Sequence, residues 1–203
     1  MAADTFGFLT DQNTLFAVVL GAILATIGGF VATVMERTLD RRERQRNAAL
    51  FFGEVLSTLA ILLRFADETK KIGEPYGPVT LRMLRSARSE LDVYDRNRET
   101  LFDLKDSELR ARIQTLIIRI SMPLDGVIEA TQEIRALSET LREMRDLAER
   151  AELEERLRAD SARREAGYEF IVENATRLKD VIADLEPHAG TSFDRIERVV
   201  RSQ

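Results

Sequence analysis

The hydropathy pattern divides the chain into one unbroken apolar run and a series of amphipathic ones. Leu15 to Met35 reads LFAVVLGAILATIGGFVATVM, with no charged residue and nothing more polar than Thr26 and Thr33. At ~1.5 Å of helix rise per residue this run spans about 31 Å, the thickness of a bilayer core. Its Leu, Ile, Val and Phe residues favour insertion by roughly 3 to 7 kcal/mol before Gly and Thr offset part of that. A water-facing helix shows a polar face within any two turns, and none appears here. The pattern predicts a single transmembrane helix over residues 15–35, with residues 1–14 as a head outside the cytoplasm.

The second apolar run, Ala49 to Ala66, is interrupted by Glu54 and Arg64. The uncharged stretch between them is too short to cross a bilayer. Phe52, Val55, Leu59, Leu62 and Phe65 recur at spacings of three and four, which predicts one face of a core helix. A membrane hairpin using residues 49–66 as a second segment is the rival reading.

Lys71 to Thr80 breaks the helical pattern, because Pro75, Pro78, Gly73 and Gly77 cannot continue it. The next helix carries Leu81, Leu84, Ala87, Leu91 and Tyr94 on one face. It is expected to end near Asn97, a residue that tolerates a left-handed C-cap. Leu101, Phe102 and Leu104 are expected to plug the end of the core, and Asp106 to cap the next helix. Leu109, Ile113, Leu116, Ile117 and Ile120 then face inward, and Pro123 kinks or interrupts that helix.

Beyond it, Val127, Ala130, Ile134, Leu137, Leu141, Met144, Ala148 and Ala151 form a heptad seam. The seam fails at Glu155 and Arg158, and the charged stretch Arg142 to Glu165 reads as a solvated helix end or elbow. It resumes with Tyr168, Ile171, Ala175, Leu178, Ile182 and Leu185, which predicts a helix folded back on the heptads before it. Pro187 and Gly190 are expected to end this helix, with His188 in the turn between them. Phe193, Ile196 and Val200 then make one face of a short tail helix, with Arg195, Arg198 and Arg201 on the others. The expected fold is all-α: one N-terminal transmembrane helix, a basic arm over 36–48, and an antiparallel helical bundle over 49–186 with a coiled-coil-like hairpin. Residues 187–203 supply the turn and tail.

Charge sets the expected orientation. The head carries Asp4 and Asp11 and no Lys or Arg, unlike the basic start of a cleaved signal peptide, so the span reads as an uncleaved signal anchor. Arg37, Arg41, Arg42, Arg44 and Arg46 follow the span directly. By the positive-inside rule they place the C-terminal domain in the cytoplasm, and they can also lie near anionic headgroups. Within the span, Gly21, Ala25, Gly29 and Thr33 recur every four residues. Such a small-residue stripe lets two helices approach closely, so it is a candidate face for homo-oligomer formation.

The chain has no cysteine and one histidine, which excludes disulfides, thiolate sites and a His-rich metal centre. A net charge of −5 argues against bulk nucleic-acid binding. No phosphate loop, HExxH or GxSxG occurs. Asp95, Asn97 and Glu99 imitate the opening of a calcium loop, but Thr100 stands where the turn glycine belongs. The remaining polar cluster beside a core face is Glu54 with Tyr94, Asp95 and Asn97. No cofactor is expected.

The segment SELDVYDRNRETLFDL, after a helix beginning near FFGEVL, resembles a pattern in small uncharacterised bacterial inner-membrane proteins with one N-terminal span and a cytoplasmic helical domain. The resemblance covers about a third of the chain and implies that architecture and that membrane, with no functional residue to carry over. The b subunit of ATP synthase also has one span and a charged cytoplasmic helix, but as an extended coiled coil. Pro75, Pro78, Pro123 and Pro187 divide the present chain into shorter pieces. The pattern thus points to a non-enzymatic, membrane-tethered module that engages an unknown protein partner. A membrane-active pore former or toxin is the alternative, and a small-molecule sensor or enzyme with a pocket in the bundle the lesser one.

Overall fold

The computed structural model describes residues 12–196, and every regular element among them is helical. These are α1 (Gln12–Ile72), α2 (Pro78–Arg96), a 3₁₀ helix (Arg98–Asp103), α3 (Ser107–Glu143), α4 (Leu147–Thr176) and α5 (Leu178–Ala189). The chain divides into two compact units, Met1–Arg44 and Gln45–Gln203. Most of the head, and Arg198, Val200 and Arg201 of the tail, lie outside the described residues.

The first unit contains the N-terminal part of α1. Its apolar side chains are exposed on every side of the helix, Ile23, Leu24, Ile27 and Val31 among them, and Phe30 is 70 % exposed. The two hydroxyls turn back on their own helix: Thr26 donates to the Ala22 carbonyl at 2.8 Å and Thr33 to that of Gly29 at 2.9 Å. Neither of these two hydroxyls therefore needs water. Judged by length and composition, this helix can cross a membrane.

The second unit closes one hydrophobic core. The apolar face of residues 49–66 supplies Ala49, Phe52, Val55, Leu56, Leu59, Leu63 and Ala66 to it. Leu62 and Phe65, read as part of that face, do not belong to its fully buried set; Leu56 and Leu63 take that place. The other predicted core faces are found buried: Leu81, Leu84, Ala87, Leu91 and Tyr94 on α2, and Leu109, Ile113, Leu116, Ile117 and Ile120 on α3. Asp106 caps α3 as expected, accepting from the Glu108 and Leu109 amides at 2.9 and 3.0 Å.

Several local expectations fail for identifiable reasons. Asn97 ends α2 with φ −112°, not in the left-handed region, because its side-chain amide closes the helix by donating to the Val93 carbonyl at 2.8 Å. Leu101 and Leu104 plug the core, but Phe102 is 69 % exposed, since the 3₁₀ turn places adjacent residues on different sides. Pro123 does not interrupt α3; Ile120, Leu124 and Val127 are buried on both sides of it, and their packing carries the helix through. Pro187 likewise sits within the last turn of α5, which ends at Gly190 with φ +69°. His188 is in that last turn, and its Nδ1 lies 3.1 Å from the Gln45 amide nitrogen.

The largest difference concerns the heptad seam. The chain reverses at Met144–Asp146, where Asp146 caps α4 by accepting from the Ala148 and Glu149 amides. Ala148 and Ala151 therefore belong to α4 and are exposed; the charged stretch Arg142 to Glu165 holds the end of α3 and the reversal itself, and is continuous helix from Leu147 onward. Contacts across the reversal pair Glu133 with Arg163 at 2.8 Å and Val127 with Gly167, and Arg112 reaches Asp184 on α5 at 2.5 Å. Numbers fall on one side as they rise on the other, so α4 and α5 run back along α3. A Cβ on Gly167 would lie 3.1 Å from the Val127 methyl, so glycine permits the close approach there.

The tail docks. Phe193 is buried against Gly53 of α1, where an added methyl would run into its ring, and Ile196 packs on the same core. Glu186 holds the approach by accepting from the Phe193 amide at 2.9 Å and the Ser192 hydroxyl at 2.7 Å.

Candidate functional site

The residues singled out by the pattern end up in different environments. Gly21, Ala25, Gly29 and Thr33 are all exposed, and nothing lies within 4 Å of where a Cβ on Gly21 or Gly29 would sit. Arg37, Arg41, Arg42 and Arg44 are exposed on α1. Arg46 belongs to the second unit and donates its Nε to the Ala189 carbonyl at 3.3 Å, a cation at the C-terminal end of α5. Glu54 and Asp95 are exposed, whereas Tyr94 is buried with its ring edge-on to Phe52 at 5.7 Å. The Tyr94 hydroxyl is buried with no hydrogen-bond partner among the described residues. Burial pushes that phenol above its usual value, so it stays protonated at neutral pH.

The densest polar constellation lies elsewhere, at the break between α1 and α2. The Gly77 amide donates to the Glu74 carbonyl at 2.9 Å, closing a turn with Pro75 second and Tyr76 third. Tyr76 has φ +59°, in the third position of a type II turn pattern that normally calls for glycine or asparagine. An L-residue held there costs on the order of 1 kcal/mol or more, so the surroundings must hold it.

They do so through both its ring and its backbone. The Tyr76 ring is buried edge-on to Tyr168 at 5.6 Å, with the Arg164 guanidinium 3.9 Å from its centroid. Its hydroxyl donates to Glu165. Lys70 Nζ sits 2.9 Å from the Glu165 carboxylate, 4.1 Å from the Tyr168 ring and 4.9 Å from the Tyr76 ring. The Tyr76 carbonyl accepts from Arg135 of α3 at 3.1 Å. One turn residue thus ties α1, α3 and α4 together.

Electrostatics follow from this packing. Burial, with the Glu165 hydrogen bond and charge, pushes the Tyr76 phenol far above its ordinary range. Burial and the Asp67 carboxylate do the same for Tyr168. Burial alone would raise Glu165, but the hydrogen bonds from Tyr76 and Lys70 and the Lys70 and Arg164 charges outweigh it and hold that carboxyl below its usual value. Both phenols therefore stay protonated at neutral pH: Tyr76 donates to Glu165, and the buried Tyr168 hydroxyl has no hydrogen-bond partner among the described residues.

Because Glu165 is depressed in the folded state, its contribution to stability is present above its unfolded pKa and lost as pH falls through the folded one. Between about pH 5 and pH 3 the wild-type melting temperature should fall more steeply than that of Glu165→Gln. The carboxylate is half exposed, so the difference should correspond to no more than about 1 kcal/mol. Parallel acid limbs in thermal melts would contradict the assignment.

Sequence reasoning missed this site because its parts come from stretches read as punctuation and as solvated charge. The one available signal was an aromatic residue, Tyr76, set between Pro75 and Gly77 in a turn. No protein-family model matches the chain, and no match appears among curated proteins or solved structures.

Proposed function

We propose that this protein is a membrane-tethered interaction module without catalysis of its own. The apolar run of α1 anchors it in a bacterial inner membrane as a single-pass span, with the head outside. The unit from Gln45 onward is an antiparallel helical bundle on the cytoplasmic side that recruits or regulates another protein. The carrying observation is an apolar stretch exposed on all sides, followed by exposed arginines at 37, 41, 42 and 44, and then a unit with its own closed core. A fully apolar sleeve is stable in lipid and costly in water, and the arginines favour the inner face. The open stripe of Gly21, Ala25, Gly29 and Thr33 supports a homo-oligomeric contact in the bilayer.

Burial of Phe52, Leu56 and Leu59 in a protein core supports this reading over a membrane-active hairpin, which would turn those side chains to lipid. For a partner, Ile118 and Met122 offer exposed apolar surface one turn apart on α3. A photo-crosslinking residue at Met122, irradiated in native membranes, should yield a discrete protein adduct. Adducts with lipid alone would overturn the proposal.

A further inference from the structure

The N-terminal half of α2 and Arg135, from the C-terminal third of α3, line an open groove of about 410 Å³. Its lining includes Pro78, Arg82, Arg85, Ser86, Ser89 and Arg135. Three guanidinium groups from two helices therefore face one concavity, with two hydroxyls beside them. We propose that this groove binds a phosphate-bearing small molecule, through a phosphomonoester or diphosphate group.

Charge is the first support. Arg82 and Arg85 make no ion pair among the described residues. Arg88, the next arginine along α2, is by contrast paired with both Asp92 at 2.6 Å and Asp125 at 2.7 Å. Arg135 is fixed in place by the Tyr76 carbonyl, a neutral acceptor that orients the guanidinium without cancelling its charge. The strained turn thus has a use: its left-handed residue aims a carbonyl at the groove's third arginine.

Pro78, the first residue of α2, lines the groove, and the first turn holds no acidic residue and no side-chain cap. The Glu74 carboxylate lies beside this end, 3.3 Å from where a Cβ on the N-cap Gly77 would sit, so it offsets the helix dipole there and the arginines must supply the attraction. The whole chain has net charge −5, so an anion is not drawn in by the long-range field and must be held locally.

Geometry selects phosphate over carboxylate. A carboxylate satisfies one guanidinium fork, whereas a tetrahedral phosphoryl group offers three oxygens to forks arriving from different directions. The groove volume is in the range of small-molecule sites and leaves room for an organic remainder along the arginine stems. The inference does not depend on the membrane reading.

The test is calorimetric titration of the full chain in detergent with inorganic pyrophosphate. Saturable binding is expected, with acetate giving none. Arg82→Gln and Arg85→Gln should each weaken it about tenfold. Arg82→Lys should recover only part, because it restores charge without the fork. Arg195→Gln, exposed on the tail, should leave affinity unchanged, and unchanged melting temperatures establish that the variants are folded. Competition by dioctanoyl phosphatidic acid would mark a lipid headgroup as the source, and competition by a sugar phosphate a soluble one. No saturable binding by the wild type, or an equal loss in Arg195→Gln, would overturn the proposal.

Discussion

Leu124→Asp is expected to unfold the unit that begins at Gln45, whereas Leu141→Asp should leave it folded with a melting temperature a few degrees lower. Leu124 is fully buried midway along α3. A carboxylate in that apolar core must either ionise away from water or be buried protonated, at a cost of several kcal/mol. That is comparable with the entire stability of a typical domain, about 5 to 15 kcal/mol. Leu141 lies near the reversal at Met144–Asp146 and is only half-buried, so a charge there can reach water. Its loss is then limited to part of one side chain's burial, about 1 kcal/mol, or roughly 2 to 4 °C. Circular dichroism melts of the two variants check the contrast. Equal effects, or a dimer dissociated by Leu141→Asp alone, would mean that the seam packs between chains.

The course of α3 and its reversal shows what the sequence could and could not disclose. The apolar periodicity at Leu109, Ile113, Leu116 and Ile120 marked a buried face without ambiguity, because each residue has only one way to leave water. The reversal at Met144–Asp146 was invisible to that periodicity, since Ala148 and Ala151 happen to continue the heptad spacing. Asp146 with Glu149 three residues on is a capping pattern that marks the true helix start. The seam overrode it because alanines count as apolar while burying little. The Tyr76 site was less legible still. Its members are Lys70, Tyr76, Arg135, Arg164, Glu165 and Tyr168, and their convergence depends on how α3 and α4 pair, a tertiary fact that no local pattern carries. The same dependence hides the arginine groove, whose third member comes from a different helix than the first two.

The second large effect is expected in the apolar run. Leu24→Arg combined with Ile27→Arg places two charges near its middle, at about 2.5 to 3.5 kcal/mol each. Their sum, roughly 6 kcal/mol, is close to the whole insertion gain of roughly 3 to 7 kcal/mol for residues 15–35. The double variant should lose its membrane association and appear in the soluble or aggregated fraction, measured by flotation on a density gradient after alkaline washing. Both side chains are exposed in the folded chain, so the change touches no protein core. Flotation equal to that of the wild type would show that something other than this run holds the protein to the membrane.

The central claim is that a single span separates an outer head from a helical unit held at the cytoplasmic face. The most direct measurement is a pair of reporters fused after Gln203, one active only in the cytoplasm and one only beyond the inner membrane. The cytoplasmic reporter should be active and the other silent. Neutralising Arg37, Arg41, Arg42 and Arg44 should weaken that bias, because these charges are its physical cause. Activity of the outer reporter on the unaltered chain would contradict the account.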